Sequence, residues 1–399
     1  MDKPFVYLDN AASTRPAPEV EAAMAEASRS CFANPSSAHA AGGAAARALE
    51  EARGAILAAL GTEAGQLVFT GGGTEANALG VLGAGRLGRG RHAVTTAIEH
   101  PAVLRNVEAL TAERAFEVTR VVPEASSGRI AVEAVLAEVR RDTALVAVML
   151  VNNELGTVQP IVELGRALDA FAAREGCKRP HLHVDAVQAF GVMSLRTTTL
   201  VADSVALSAH KLHGPKGVGA LWLRPGARIA PLWDGGRQER GLRSGTENVP
   251  AIVGFARAAT LAALALKGGA GDAMARLRDE LETRVCAVVP MARPTVTGAA
   301  RAPHITSLAF PALPAEPLLH ALEARGVFVS AGSACASKTS GPSHVLKAIG
   351  VDDDTAVLRF SLSRATAPED VALAAAAVTE AVAEIAAMRP RLAKARRNG

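Results

Sequence analysis

Short apolar runs alternate with segments of helical spacing through the first two-thirds of the chain. The run 144–151 is almost entirely apolar, which is typical of a central strand buried on both faces. Pro160 stands where a helix should begin, and 161–174 carries helical spacing. This alternation predicts an α/β fold with a mainly parallel sheet. The other predicted strands are 67–69, 92–98, 181–184, 203–208 and 219–223, with a further helix over 101–112.

The last third of the chain has a different pattern, which predicts a smaller α+β domain. Predicted helices cover 251–267, 272–288, 316–325 and 368–388, and predicted strands cover 305–310, 327–330 and 357–361. We therefore expect a large domain over 16–255. The small domain is expected over 1–15 and 256–399, with a loop at about 330–343.

Composition narrows the class of protein. The 399 residues are 49% hydrophobic and 21% charged, enough to bury a sizeable core. The net charge of +4 is small, and the basic tail 389–397 contains no aromatic residue, so no nucleic-acid partner is expected. The N-terminal residues show no apolar stretch after a basic start, so no signal peptide is expected, and no apolar run is long enough to span a bilayer. We therefore expect a cytoplasmic protein without a membrane partner.

The cysteines and histidines do not predict a resident metal. The four cysteines are scattered without CxxC pairs, which argues against a zinc site and a disulfide scaffold. His181 and His183 lie on one side of a predicted strand, but no third ligand stands nearby. A reducing cytosol fits, and it keeps Cys335 available as a thiol.

A lysine and an aspartate indicate pyridoxal phosphate chemistry. Lys211 closely follows a predicted strand end, and Asp185 ends another short apolar run. This cofactor needs a lysine to bind it as an imine and a carboxylate to keep its ring nitrogen protonated. Lys216 competes for the lysine role, but Lys211 is favoured because a predicted strand positions it. Ser208 and His210 could bind the phosphate, and Gln188 could reach the phenolic oxygen.

A glycine turn supplies a candidate phosphate site. The stretch Gly71-Gly72-Gly73-Thr74 joins a predicted strand to a helix, where backbone N–H groups can point at an anion. An ordinary strand-to-helix turn with a threonine cap is the alternative. The motif Gly83-Ala84-Gly85-Arg86-Leu87-Gly88 matches the dinucleotide fingerprint, but it lies between a helix and a strand, the reverse of the required context. We interpret it as a helix-to-strand loop.

Several side chains follow strand ends, where ligands bind in parallel α/β sheets. His100 could stack on the cofactor ring and move protons, or merely precede a helix. Asn153 follows the central strand at the same edge. Arg359, within an apolar strand, could bind a substrate carboxylate or form a structural salt bridge.

Cys335 is the candidate sulfur nucleophile. Small residues flank it in Ser333-Ala334-Cys335-Ala336-Ser337, and a probable loop extends through Gly341-Pro342. An inert buried cysteine is the alternative. The small polar neighbours favour an exposed thiol on a mobile loop.

Together these residues resemble the cysteine desulfurases of the class V aminotransferase group, those of the iron–sulfur cluster assembly type. The resemblance covers nearly the whole chain. Its pieces, in order, are Tyr7-Leu8-Asp9-Asn10-Ala11-Ala12, Asn34-Pro35-Ser36-Ser37, Gly73-Thr74-Glu75-Ala76-Asn77, Glu99-His100, Val151-Asn152-Asn153-Glu154, His183-Val184-Asp185-Ala186-Val187-Gln188, Ser208-Ala209-His210-Lys211, Arg243-Ser244-Gly245-Thr246, Gly332-Ser333-Ala334-Cys335 and Arg359-Phe360-Ser361.

The resemblance implies the aspartate aminotransferase-like fold (fold type I), with a mainly parallel seven-stranded sheet in the large domain of a homodimer. It implies that L-cysteine becomes L-alanine while sulfur passes, as a persulfide on Cys335, to an acceptor or scaffold protein; that cysteine could also contact a cluster. The implied catalytic residues are Lys211, Cys335 and His100. The implied cofactor-binding residues are Thr74, Glu75 (through its backbone), Asn153, Asp185, Gln188, Ser208, His210, Lys211 and, from the partner subunit, Thr246; Asn34 and Arg359 would bind the substrate.

Two rival functions remain at this level. A selenocysteine lyase or a small amino-acid aminotransferase would share the fold, and an aminotransferase would not need Cys335. A non-catalytic scaffold that binds cluster-assembly partners would need neither Lys211 nor the cofactor.

Overall fold

The computed structural model describes residues 5–195, 197–332 and 343–397. The helices in these ranges are α1 (Pro18–Ser30), α2 (Ala40–Ala59), α3 (Gly73–Leu87), α4 (Pro101–Arg114), α5 (Val132–Glu138), α6 (Ile161–Glu175), α7 (Thr197–Leu200), α8 (Val249–Lys267), α9 (Ala270–Val288), α10 (Ala315–Ala324), α11 (His344–Ala348) and α12 (Pro368–Arg397). The strands are β1 (Val6–Tyr7), β2 (Gln66–Thr70), β3 (His92–Thr96), β4 (Glu117–Val121), β5 (Thr143–Met149), β6 (His181–Asp185), β7 (Ser204–Ser208), β8 (Gly219–Leu223), β9 (Arg293–Pro294), β10 (Ile305–Phe310), β11 (Val327–Phe328), β12 (Ser330–Ala331) and β13 (Ala356–Ser361).

The predicted mainly parallel sheet of seven strands is confirmed. Its strand order is β2-β8-β7-β6-β5-β3-β4, and β8 runs opposite to the other six. The carboxyl ends of β2, β3, β5, β6 and β7 therefore meet at one edge. This is the edge at which open α/β sheets bind their ligands.

Helices cover both faces of this sheet. Leu67 and Phe69 pack into one apolar core, whereas Val68 between them packs into another, because successive strand residues point to opposite faces. Helices α2, α6 and α8 contribute to the first core, and α3 and α4 contribute to the second. Burial on both faces explains why β5 has an apolar run rather than an alternating pattern.

Start and stop signals in the sequence set the bounds of α6. The helix begins directly after Pro160, as predicted, and Gly176 ends it in a left-handed conformation with φ of 60°. Glycine adopts this conformation without the steric cost that a Cβ brings. The apolar residues Ile161, Leu164 and Leu168 share its buried face.

Two features differ from the sequence predictions. Helices α1 and α2 fill a region for which no element was predicted, since the many alanines and glycines of α2 give a weak apolar pattern. The motif 83–88 is not a loop: its first five residues belong to α3, and Gly88 caps that helix. A Cβ on Gly83 would lie 2.6 Å from the carbonyl oxygen of Ala230, so the glycine serves close packing.

The C-terminal part of the chain forms a second sheet of order β12-β13-β10-β9 with antiparallel pairing. Leu308, Phe310 and Leu358 from this sheet pack with α9, α10 and α12. Val6 and Leu8 join the same core, and β1 pairs with β11. This packing favours assigning 1–15 to the small domain, but the boundary near residue 255 stays a prediction.

Helix α8 begins two residues before its predicted start and is apolar along most of its length. Among the described residues it is the helix whose length and composition would allow it to cross a membrane. Half of its apolar window is buried inside the protein, where Ile252 and Phe255 belong to the core below the large sheet. A core helix passes the same test, so the feature is weak evidence for a membrane span.

Candidate active site

The carboxyl edge of the large sheet borders a cavity of about 240 Å³. Strand β13 of the second sheet closes it from the other side through Arg359. The cavity gathers residues that are far apart in the chain. The predicted site residues that line it are Thr74, His100, Asn153, Asp185, Gln188, Ser208, His210, Lys211 and Arg359.

Lys211 lies in a short 3-10 turn, Ala209–Lys211, that follows β7 directly. Its Nζ donates hydrogen bonds to the carbonyl oxygens of Ala11 at 2.6 Å and Ala12 at 2.8 Å. The amine is thus held at the cavity by the N-terminal arm as well as by the strand end. Lys216, the competing lysine, is exposed in the next turn and does not line the cavity.

Asp185, the last residue of β6, is held by two donors. The backbone N–H of Val187 donates to its Oδ1 at 3.0 Å, and Asn77 Nδ2 donates to its Oδ2 at 2.8 Å. An ionised carboxylate has about four acceptor positions, so Asp185 retains capacity for a further donor.

A buried chain of polar groups extends behind Asp185. Because Asn77 donates through Nδ2, its Oδ1 accepts from His183 Nε2 at 2.9 Å. His183 Nδ1 then accepts from the Ser204 hydroxyl at 2.8 Å, and burial lowers the pKa of His183 to about 3. His181 also contacts Ser204 Oγ, at 2.8 Å, so both histidines belong to the hydrogen-bonded chain that ends at Asn77. Sequence reasoning missed Asn77, although it lies three residues after Thr74 on the same helix face.

An anion-binding turn begins where β2 ends. Gly73 and Thr74 are the first residues of α3, whose N-terminal N–H groups favour a negative charge. A Cβ on Gly73 would lie 2.8 Å from Val187 Cγ2, so this position requires glycine. The Ser208 hydroxyl, which lines the cavity, is buried and has no hydrogen-bond partner among the described residues. A buried polar atom without a partner is costly, so Ser208 Oγ indicates where a ligand binds.

His210 lies at the same end of the cavity. Its Nδ1 contacts Ser13 Oγ at 3.2 Å. Burial lowers the pKa of His210 to about 4, and the positive charges of Lys211 and Lys216 act in the same direction. In the absence of an anion this histidine is therefore neutral at neutral pH.

His100 both caps a helix and lines the cavity. Its Nδ1 accepts a hydrogen bond from the backbone N–H of Ala102 at 3.0 Å, which caps α4, and the ring lines the cavity. A neutral imidazole that accepts at Nδ1 carries its proton on Nε2. Burial lowers the pKa of His100; Asp185 opposes this shift, and Lys211 adds to it. The ring is thus a neutral group with a donor at Nε2.

Arg359 is almost fully buried, with 2% of its surface exposed. Its Nη1 donates to the carbonyl oxygen of Asn153 at 2.9 Å, and its Nη2 donates to Asp9 Oδ1 at 2.6 Å. Its Nε has no hydrogen-bond partner among the described residues. Arg359 therefore forms the predicted salt bridge, with Asp9, and also lines the cavity, while its binding of a substrate carboxylate stays a prediction.

Gln188 is oriented by a residue that the sequence analysis did not identify. Gln188 Nε2 donates to the carbonyl oxygen of Ala11 at 2.9 Å, and its Oε1 faces His304 Nε2 at 3.3 Å. Burial lowers the pKa of His304 to about 3, so the ring is neutral. His304 lies in a region of the sequence with no motif, one residue before β10, and no sequence signal would have found it.

Three predicted residues do not line the cavity of the described chain. Glu75 points its carboxylate away, towards Arg243 Nε at 2.9 Å. Asn34 is exposed and accepts from the backbone N–H of Ser36 at 2.9 Å. Thr246 is exposed as well. Cys335 and the residues around it, 333–342, lie outside the described residues.

Glu154 contacts one border of that segment and approaches the other. Ser343 donates to its Oε2 at 2.6 Å, and a Cβ built on Gly332 would lie 3.5 Å from the same oxygen. Burial raises the pKa of Glu154. Because Glu154 directly follows Asn153, it joins the cavity wall to Ser343.

Comparison with known proteins gives a consistent result. Residues 6–373 match the family described as aminotransferase class-V. A cysteine desulfurase from Cereibacter sphaeroides is 43% identical over 370 residues, which cover 92% of each chain. A structure titled NifS-like protein superposes with a TM-score of 0.85 at 35% identity and covers 95% of this chain and 100% of its own. A structure titled SspA in complex with cysteine has a TM-score of 0.74 at 32% identity, covering 91% of this chain and 100% of its own.

Proposed function

The chain belongs to the aminotransferase class-V family and, with its relatives, to the cysteine desulfurases, and we propose which of its residues carry out that reaction. The single observation that supports the assignment most is the convergence of Lys211, Asp185 and Ser208 on one cavity. An amine, a hydrogen-bonded carboxylate and an unpartnered hydroxyl are the groups that pyridoxal phosphate needs at its aldehyde, its ring nitrogen and its phosphate.

The described residues fit this cofactor. Lys211 would bind it covalently, and Asp185 would hold its ring nitrogen, with Asn77 keeping the carboxylate in place. The backbone at Glu75 with Thr74, Ser208 and His210 would hold the phosphate, joined by Thr246 of the partner subunit. Asn153 and Gln188 would contact the ring. When bound, the cofactor withdraws electrons from the substrate α-carbon and makes its proton acidic.

Arg359 would bind the carboxylate of L-cysteine, together with Asn34. The Nε of Arg359 is the donor that has no partner among the described residues, whereas Asp9 and the Asn153 carbonyl hold the two Nη groups. A guanidinium fixed in this way has lost its rotational freedom before the substrate arrives. Less entropy is therefore lost on binding.

Lys211 and His100 would move the substrate protons. Lys211 Nζ, which the carbonyl oxygens of Ala11 and Ala12 hold at the cavity, would accept the α-proton as a neutral amine. His100 is neutral and has its proton on Nε2, so it can donate at that atom and accept there after donation.

Cys335 would remove the sulfur. Its thiolate attacks the sulfur of the substrate, an S–S bond forms, and the C–S bond of the substrate breaks. The electron pair of that bond stays with the substrate carbon, which takes up a proton and leaves as L-alanine. The enzyme then carries a persulfide, and an acceptor protein receives the terminal sulfur for iron–sulfur cluster or other thio-cofactor synthesis. We propose that this happens in the cytoplasm and in a homodimer.

The test compares Cys335→Ser with Cys286→Ser, a change at a partly buried cysteine on α9, far along the chain from the cavity residues. Each protein is incubated with L-cysteine; alanine is quantified and the intact mass is measured. We expect Cys286→Ser to form alanine normally and gain one sulfur on the peptide that contains Cys335. Cys335→Ser should gain none there and form almost no alanine. Undiminished alanine formation by Cys335→Ser would contradict the role of this thiol.

A further inference from the structure

The segment from Arg237 to Thr246 is attached by ion pairs to two helices of the large domain. It contains one short 3-10 turn, Gln238–Gly241, and it ends at the threonine assigned above to the phosphate in the partner subunit. The two ion pairs are Glu239–Arg53 and Arg243–Glu75. Arg53 lies on α2, whereas Glu75 lies on α3, the helix that begins within the anion-binding turn Gly71–Thr74.

Of the two ion pairs, the one formed by Glu239 has more hydrogen bonds. Its carboxylate accepts from both Nη atoms of Arg53 at 2.9 Å and from the backbone N–H of Phe69 at 2.8 Å. Strand β2, which contains Phe69, is an edge strand, and this N–H donates to Glu239 and not to the neighbouring strand β8. The Glu239 side chain is 2% exposed, and Arg53 also lies over the ring of Phe69 at 4.7 Å. A bidentate pair with an additional backbone donor defines the position of the carboxylate closely.

The backbone at Glu239 is in a conformation that its sequence does not favour. Glu239 has φ of 45° and the following Arg240 has φ of 58°, two consecutive left-handed residues that are not glycine. Such conformations persist only where surrounding contacts determine them. The contacts of the Glu239 carboxylate therefore set the path of the chain towards Thr246.

Arg243 forms the second ion pair, with Glu75. Its Nε donates to Glu75 Oε1 at 2.9 Å, while Glu75 Oε2 accepts from the backbone N–H of Gly71 at 2.7 Å. A Cβ on Gly71 would lie 2.7 Å from that same oxygen. Glu75 thus holds the turn with one oxygen and the segment with the other.

From this arrangement we propose that Glu239 and Arg243 are positioning residues for the cofactor phosphate. They hold the segment that ends at Thr246 and the turn Gly71–Thr74 as one rigid unit. The turn is then in place for the phosphate of its own subunit, and Thr246 for the phosphate of the partner subunit, before the cofactor binds. This inference rests on the proposed function, because it takes the ligand of the turn to be the phosphate of pyridoxal phosphate.

A purely structural role would weaken binding of every ligand of the cavity alike. A positioning role for the phosphate acts on that group alone. The affinity for pyridoxal phosphate relative to pyridoxal, which lacks the phosphate, therefore separates the two. The ratio of the two dissociation constants is measured by titrating the apoprotein and following absorbance, so no turnover is needed.

The variants are Glu239→Gln and Arg243→Gln, with Glu50→Gln as the matched control. Glu50 also pairs with Arg53, but its side chain is 63% exposed and it contacts neither β2 nor the segment through that pair. We expect each test variant to weaken pyridoxal phosphate binding about tenfold while pyridoxal binding changes less than about twofold, as for supporting residues of other bound groups. Glu50→Gln should leave both constants as in the unmodified protein.

The outcomes are distinct. An unchanged ratio in both variants, or an equal loss for both ligands, overturns the positioning role. If Glu239→Gln does not fold, Arg243→Gln decides, because its ion pair is partly exposed and its loss leaves the Gly71–Glu75 contact intact. An unmodified apoprotein that binds neither ligand overturns the proposed function instead.

Discussion

Asp185 and Arg359 are both buried charges of the same cavity, yet they reach it in different ways. Asp185 ends β6, where the sheet stops and the chain turns. Arg359 lies within β13, paired on one side with Ser307 and on the other with Ser330. Asp185 is 7% exposed and Arg359 is 2% exposed.

The surroundings of the two side chains differ accordingly. A strand end offers donors from the turn itself, and Val187 N–H, two residues on, provides one to Asp185. Within a strand, the backbone N–H and C=O groups of the neighbouring strands are used by the sheet and cannot pair with a side chain. The Arg359 guanidinium therefore pairs with the carboxylate of Asp9, which is 350 residues away in the chain. Strand-end charges are therefore free to serve chemistry, whereas a charge within a strand also supports the fold.

The largest expected effect comes from Asp185→Asn. The amide cannot hold a ring nitrogen protonated, and its NH₂ group would face either Asn77 Nδ2 or Val187 N–H, which are donors. We expect kcat for alanine formation to fall by about 10²- to 10³-fold. The melting temperature should fall by only about 1–2 °C, because the remaining oxygen of the asparagine still accepts from one of the two donors.

Asp203→Asn is the matched control for that change. Asp203 is a buried carboxylate that pairs with Arg179 and Arg224 outside the cavity. Its replacement should lower the melting temperature and leave kcat nearly unchanged. If Asp185→Asn lost much stability and little kcat, Asp185 would behave as a structural carboxylate like Asp203, and its role in the reaction would be contradicted.

Arg359→Lys should affect both properties. Lysine keeps the charge but cannot donate to Asp9, the Asn153 carbonyl and a substrate carboxylate from one planar group. We expect KM for L-cysteine to rise about 10- to 100-fold, the loss of a charged hydrogen bond. The melting temperature should fall by about 2–4 °C.

Arg278→Lys provides the control for Arg359. Arg278 is 8% exposed on α9 and donates to the carbonyl oxygen of Ala302. Its replacement should destabilise the protein while KM stays unchanged. If Arg359→Lys raised KM without lowering the melting temperature, the salt bridge with Asp9 would have no role in the fold.

The smallest expected effect is on the pH dependence of stability and comes from Glu99, a buried carboxyl group that lies shortly after β3. Burial raises the pKa of Glu99 from 4.5 to about 8, against hydrogen bonds from Thr96 and Met149 that favour the charged form. The folded protein thus retains a proton that the unfolded chain releases. The stability from this proton is complete below about pH 4.5 and decreases as the pH rises towards about 8.

Glu99→Gln mimics the protonated form and should remove this dependence. Its melting temperature should equal that of the unmodified protein near about pH 5 and exceed it by about 3 °C near about pH 9. Thermal unfolding at the two pH values measures the difference. A parallel pH dependence in the two proteins would show that Glu99 is already ionised when the protein is folded.

Strand ends were predictable because two local signals coincide there. A short apolar run followed by glycine or polar residues predicts both the strand and the turn, as for the turn after β2 and for His100 after β3. Helices α1 and α2 lacked such signals. The motif 83–88 was misassigned as a loop because glycine in a helix indicates either a break or a close contact, and the contact of Gly83 with Ala230 is long-range.

The sequence by itself determined the alternation of elements, the mainly parallel sheet and the set of reactive side chains at its carboxyl edge. These follow from apolar spacing and turn residues within a few positions of each other. Only the tertiary structure decided that Asn77 holds Asp185, that Asp9 holds Arg359 and that Glu239 holds Arg53. A hydrogen bond acts over about 3 Å, and that distance is set by packing of segments remote in the chain, on which local periodicity has no bearing.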